Sequence, residues 1–204
     1  MEIEAYILIG GRSSRMGRSK AFADIGGVPL ARHAFETVNG SGITEEIKFV
    51  AGNEAQFAIE AAALNAPFIF DLVPGRGPLG GLHAALSYAR TPWIFLLACD
   101  MPLVSPEMIG ILASEIIDGV GVVLPEQADG RLQPLCALYN TAIAGPIITE
   151  TIELPRVSPR MTELAMKLEP KIIRFESYSN LPGAATFFSN INTPDELEIV
   201  RKLF

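Results

Sequence analysis

The stretch Ile7-Leu8-Ile9-Gly10-Gly11-Arg12-Ser13-Ser14-Arg15-Met16-Gly17-Arg18-Ser19-Lys20 turns a short apolar run straight into a glycine-rich, strongly basic segment. That junction decides how the rest of the chain reads. Glycines at positions 10, 11 and 17 let a backbone turn tightly and bring its N–H groups close to an anion, and Arg12, Arg15, Arg18 and Lys20 add positive charge. Four of the sixteen Lys and Arg residues fall within nine positions, so the segment reads as a phosphate cradle. It fits neither short phosphate pattern as written. Five residues separate Gly11 from Gly17 and Lys20 stands three positions further on, against the P-loop spacing, and no G-x-G-x-x-G can be laid over residues 10–17.

Working outward, the nearly continuous apolar run at 4–9 predicts a first strand buried on both faces. Pro29 to Asn39 predicts a helix, with Leu30, Ala34, Phe35 and Val38 on one face and Gly40 beyond its end. Ile47–Ala51, Pro67–Val73 and Trp93–Ala98 read as further strands, alternating with helices over 54–64 and 79–89 and one opened by Ser105 and Pro106. Strictly alternating elements point to a mainly parallel α/β sheet with helices on both faces. After 119–124 the turn Gln127-Ala128-Asp129-Gly130-Arg131 predicts a hairpin-like excursion over the sheet's edge. Residues 141–170 read as helical and 171–175 as a strand, and Thr193-Pro194-Asp195-Glu196 opens a last helix with a capping box.

At 204 residues the chain suits one domain, and 49% hydrophobic against 19% charged residues describes a compact fold rather than a disordered chain. A net charge of -7 weighs against nucleic acid as a partner and makes the basic segment a local site for a small phosphorylated ligand. Cys99 and Cys136 form no disulfide framework. The acidic start Met1-Glu2-Ile3-Glu4 lacks the form of a secretory signal, and no apolar run approaches the roughly 20 residues a spanning helix needs, so the chain reads as soluble and cytoplasmic, without a membrane partner.

In an open parallel sheet, ligands bind beyond the carboxyl ends of the strands. The residues found there are the glycine segment, Gly52-Asn53, Asp71 with Gly75–Gly81, and Asp100. Asp100, between a buried strand and Met101-Pro102, suits a carboxylate aimed at a ligand-bound Mg²⁺, a hard cation that prefers oxygen donors; the alternative is an aspartate that caps the next turn. Asn53 is a nucleotide contact or a helix cap, and Asp71 a site residue or a turn residue. Gln133, Asn190 and Asn192 either face the rim or only satisfy local backbone. His33 and His83 have no matching nucleophile or ligand cluster and read as structural. Gly75-Arg76-Gly77-Pro78-Leu79-Gly80 does match G-x-G-x-x-G, with Asp100 twenty residues further on, which keeps a dinucleotide (NAD or FAD) binder as the second reading.

Leu8-Ile9-Gly10-Gly11 with Ser14-Arg15-Met16-Gly17 and Lys20, then Gly77-Pro78-Leu79-Gly80-Gly81, Cys99-Asp100-Met101-Pro102 and Asn190-Ile191-Asn192-Thr193-Pro194, together resemble the molybdenum cofactor guanylyltransferases, the MobA family. The resemblance spans nearly the whole chain. It implies a single three-layer, Rossmann-like nucleotidyltransferase (GT-A-like) domain over residues 1–204. It also implies Mg²⁺-dependent transfer of GMP from GTP to the phosphate of molybdopterin cofactor, with release of pyrophosphate. On it, Leu8, Ile9, Gly10 and Gly11 would hold the guanine nucleotide and Lys20 its phosphates. Asn53 and Asp71 would add nucleotide contacts, Asp100 would bind nucleotide and Mg²⁺, and Arg15 would help neutralise the leaving pyrophosphate. The acceptor side would involve Gln133, Asn190 and Asn192, and proteins that deliver or receive the cofactor are implied as transient contacts. The chain has Ser19 where the family usually has aspartate and Ile9 where it has alanine, which leaves CTP open beside GTP.

Overall fold

The computed structural model describes residues 2–9, 20–52, 64–154 and 159–203. Seven strands form one sheet in the order β5-β4-β1-β6-β8-β7-β9: β1 (Ile3–Leu8), β4 (Ile47–Ala51), β5 (Phe68–Phe70), β6 (Trp93–Ala98), β7 (Val122–Pro125), β8 (Cys136–Asn140) and β9 (Lys171–Ile173). A two-stranded ribbon, β2 (Asp24–Ile25) and β3 (Val28–Pro29), lies apart from it. All six residues of β1 and of β6 are buried, as a central strand covered on both faces requires.

Alternation along β1 divides the interior. Ala5 and Ile7 join a core with α1 (Leu30–Ser41) and α3 (Pro106–Ser114), while Tyr6 and Leu8 join a second core with α2 (Pro78–Tyr88), α4 (Thr141–Glu153) and α5 (Met161–Met166). A small third core, Ile25, Leu30, Ile191, Leu197 and Val200, seats the C-terminal helix α6 (Pro194–Arg201) beside the β2–β3 ribbon.

The expected excursion over the sheet's edge is corrected. β8 lies inside the sheet, antiparallel to both β6 and β7, and only β9 is outboard of β7. Cys136, Ala137, Leu138 and Tyr139 are all buried, so this short apolar run behaves as a central strand. A turn signal alone did not separate it from a surface hairpin. Two boundaries also move. The third expected strand shortens to Phe68–Phe70, and Gly40 lies within α1, whose end is set by left-handed Gly42. The expected helix over 54–64 falls almost wholly outside the described residues.

Candidate active site

Hydrogen bonds continue the ladder past the strand ends and bring the rim to one level. Ile9 N–H donates to Val50 O (3.0 Å), Asp71 N–H to Ala51 O (2.9 Å) and Cys99 N–H to Leu8 O (3.1 Å). Asp100 therefore starts one residue beyond a position pinned to β1. The chain returns from the basic segment at a short helical turn, Lys20–Phe22. There Lys20 Nζ donates to Asp100 Oδ2 and to Asn192 Oδ1, both at 2.8 Å. Three parts of the sequence meet at one ammonium group, and Ile191 N–H donates to Asp100 O (2.9 Å) to fix the third against the second.

Asn192 is held from the other side. Glu196 Oε2 accepts the N–H groups of Asn192 (2.6 Å) and Thr193 (2.9 Å), and Thr193 Oγ1 accepts Glu196 N–H (3.2 Å). The Asn192 N–H is the main reason the Glu196 carboxyl sits below its ordinary range. Beyond Asn192 opens a cleft of about 640 Å³, with Asn190, Phe188, Arg131, Asp129 and Glu196 among its walls.

Asp71 stands at the end of β5, its Oδ2 against Gly80 of α2, 3.2 Å from where a Cβ would lie. Burial raises its carboxyl to about 6. Among the described residues nothing hydrogen-bonds to it, so an ionised Asp71 lacks compensation until a donor arrives. Burial likewise pushes the Cys99 thiol up, with neighbouring Asp100 adding to it, which makes Cys99 a poor nucleophile at neutral pH.

The structure thus brings together Lys20, Asp100 and Asn192, with Asn190 on the adjoining cleft. Leu8 and Ile9 are buried at the rim. Gln133 is buried in the turn before β8, its N–H on Pro125 O and its carbonyl accepting Cys136 N–H, and it is not among the residues that line this cleft. Gly10, Gly11, Arg15 and Asn53 lie outside the described residues. Arg76, inside the G-x-G-x-x-G match, donates to Ile152 O and Leu154 O at the end of α4. That serves orphan helix carbonyls rather than a cofactor.

Sequence reading missed the β2–β3 ribbon and Glu196. The ribbon's signal was the dipeptide Gly26-Gly27 between Ile25 and Val28; φ is +61° and +85° there, the geometry a two-residue hairpin demands. Glu196 was visible only as a cap.

Residues 5–152 match the MobA-like NTP transferase domain. The chain belongs to this family. Among relatives of the MobA-like transferase, the probable molybdenum cofactor guanylyltransferase of Carboxydothermus hydrogenoformans is 32% identical, over 97% of this chain and 94% of that one. The molybdenum cofactor guanylyltransferase of Desulfosudis oleivorans is 31% identical over 96% and 93%. The crystal structure of molybdopterin-guanine dinucleotide biosynthesis protein A from Archaeoglobus fulgidus superposes with a TM-score of 0.81 at 26% identity, covering 98% and 97% of the two chains. The Pro-Leu-Gly-Gly segment of this MobA-like transferase is therefore read as part of a nucleotidyltransferase rim, and the NAD or FAD reading falls behind. No helix among the described residues is long and apolar enough to cross a membrane.

Proposed function

We propose that the chain transfers GMP from GTP to the terminal phosphate of molybdopterin cofactor and releases pyrophosphate. The observation that carries this reading is the meeting of Lys20, Asp100 and Asn192, the last of which lines an open cleft, in a family of NTP transferases whose relatives bear the guanylyltransferase name.

The chemistry asks little of a protein nucleophile. A phosphate monoester has a second pKa of about 6 and is largely dianionic at neutral pH, so its oxygen attacks the α-phosphorus without a strong base. The new P–O bond forms as the bond to the β-phosphate oxygen breaks, and the electron pair leaves on pyrophosphate. What the protein supplies is alignment of two anions and charge where charge accumulates. Lys20 gives a donor to the triphosphate, exchanging Asp100 for a phosphate oxygen, and Asn192 holds the ammonium from a second side. Arg15 adds a second cation from the glycine segment. Asp71 offers a carboxylate to donor groups of the nucleoside.

Mg²⁺ fits this donor set. Among the described residues no cluster of three His, Cys, Asp or Glu forms a protein-only cage, and Mg²⁺ characteristically takes one or two carboxylates plus substrate phosphates. Asp100 would hold it, because Lys20 occupies only Oδ2. When bound, the ion supplies charge neutralisation on the phosphates.

Purified protein incubated with labelled GTP and molybdopterin should yield the guanine dinucleotide and pyrophosphate. Thermal-shift scans with GTP, CTP, NAD and FAD, each with and without Mg²⁺, should show the greatest stabilisation with GTP and Mg²⁺. Preferential product from CTP would transfer the assignment to a cytidylyltransferase, and stabilisation by NAD alone would overturn it.

A further inference from the structure

Glu196 lines the same cleft as Asn192, and its bonding goes further than a helix cap needs. A capping box asks the third helical residue to accept the N–H of the cap residue alone, here Thr193. Glu196 Oε2 takes that bond at 2.9 Å and a shorter one, 2.6 Å, from the residue before it, Asn192. Asn192 is the residue whose side-chain oxygen meets Lys20.

From this bonding we infer that Glu196 is a positioning residue for Lys20, acting through Asn192. This rests on the proposed transfer only for its kinetic consequences; the geometric claim stands by itself. An exposed asparagine in a loop has several rotamers and two soft backbone dihedrals. Two features remove that freedom here. Ile191, fully buried in the third core, anchors the residue on one side, and Glu196 clamps its amide on the other. With the backbone fixed, Oδ1 is presented to Nζ at 2.8 Å, and the ammonium is held between a neutral acceptor and Asp100. Without the clamp, Lys20 keeps its charge near Asp100 but loses a defined direction. The C-terminal segment, which lies beyond the matched residues 5–152, thereby sets the aim of a cation supplied from the start of the chain.

The test separates this role from capping. Glu196→Ala removes both bonds to Oε2, whereas Thr193→Ala removes the other half of the box, Thr193 Oγ1 to Glu196 N–H, and leaves the Asn192 bond in place. Both variants loosen the same helix end, and similar falls in Tm are expected. Acylation of Lys20 by an amine reagent, read by mass spectrometry against exposed Lys167 in the same sample, needs no substrate. Glu196→Ala should raise the Lys20 rate at least threefold, Thr193→Ala should leave it within about 1.5-fold of the parent, and Glu196→Gln, which keeps an acceptor oxygen, should restore it. In Asn192→Ala, adding Glu196→Ala should change nothing further. Equal labelling of Lys20 in Glu196→Ala and Thr193→Ala, or additive effects with Asn192→Ala, would overturn the inference whatever the substrate proves to be. In the transfer assay Glu196→Ala should lower kcat roughly fivefold to tenfold with the KM for GTP changed less than about twofold. An inactive parent protein with the labelling pattern intact would overturn the proposed transfer and leave the positioning role standing.

Discussion

Lys20 Nζ lies 2.8 Å from Asp100 Oδ2, across eighty positions of sequence. Stability does not explain the pair. Their side chains are 15% and 24% exposed, and partly exposed ion pairs contribute only about 0–1 kcal/mol. On the proposed function, a pair worth so little, set at the carboxyl end of a central strand, acts on the ligand rather than on the fold. Lys20→Ala and Asp100→Asn should each lower Tm by no more than about 2–4 °C. Both should cut kcat/KM for nucleotide transfer by about 100-fold or more. Calorimetry run beside an initial-rate pyrophosphate assay tests this; normal turnover in a folded Asp100→Asn protein would sink the assignment of that carboxylate.

This pairing also marks what the chain disclosed on first reading. Ile7 to Lys20 and Trp93 to Asp100 carry local signals, an apolar run followed by a basic or acidic residue, and the rule that ligands gather at strand ends joins them without further information. That Asn192 faces the rim was legible only as an alternative, and its partnership with Lys20 not at all, because a loop residue's facing depends on where α6 docks. The docking depends in turn on the third core, where Ile25 meets Ile191, and no periodicity announces a contact so distant in sequence. The place of β8 was hidden for a related reason. Four successive buried residues look alike in a sheet's centre and in a hairpin, and only pairing with β6 decides between them.

Asp71 gives a pH signature. Burial raises its carboxyl from the ordinary value to about 6, so between about pH 4 and 6 the folded state holds more protons than the unfolded chain. Stability should therefore fall as pH rises through that window and stay lowered above it. Asp71→Asn should flatten the slope and, with allowance for solvent at a half-buried group, raise stability near pH 7.5 by on the order of 1 kcal/mol. Urea unfolding at pH 5 and 7.5 checks it. If the nucleoside donates to the ionised carboxylate, the parent protein's affinity for GTP should rise across the same interval, and Asp71→Asn should lose that rise.

At the opposite end of β1, Glu4 behaves in the contrary sense. Its residue is 3% exposed, and burial resists ionisation. Lys48 Nζ (2.6 Å), the Tyr6 hydroxyl (2.5 Å) and Arg90 N–H (2.8 Å) more than offset this and hold its carboxyl below the ordinary value. The stabilisation is fully present above the unfolded value near 4.3 and is lost as pH falls through the lower folded one. Glu4→Gln should cost about 2–3 kcal/mol at pH 7, because Lys48 and the Arg90 N–H lose a charged acceptor. The difference between variant and parent should shrink below pH 4. Equal stability of the two at pH 7 would refute the role given to this network.

Packing beneath the site supplies the last prediction. A Cβ on Gly81 would lie 2.6 Å from Leu8 Cδ2, closer than side chains approach, and Leu8 is the final residue of β1 before the glycine segment. Gly81 is thus favoured by the contact between α2 and the end of β1, since α2 itself would accept alanine more readily than glycine. Gly81→Ala should cost about 1–3 kcal/mol by overpacking, and Leu8→Ala about 2–5 kcal/mol by loss of buried volume. Because each change relieves the other, the double variant should be more stable than the sum of the two by about 1 kcal/mol or more. In the same proteins the KM for GTP should rise in Gly81→Ala and fall back part-way in the double variant, since on the proposed function Leu8 and Ile9 hold the nucleotide and moving Leu8 moves both. Strict additivity in a denaturant series would show that helix and strand end do not press on one another.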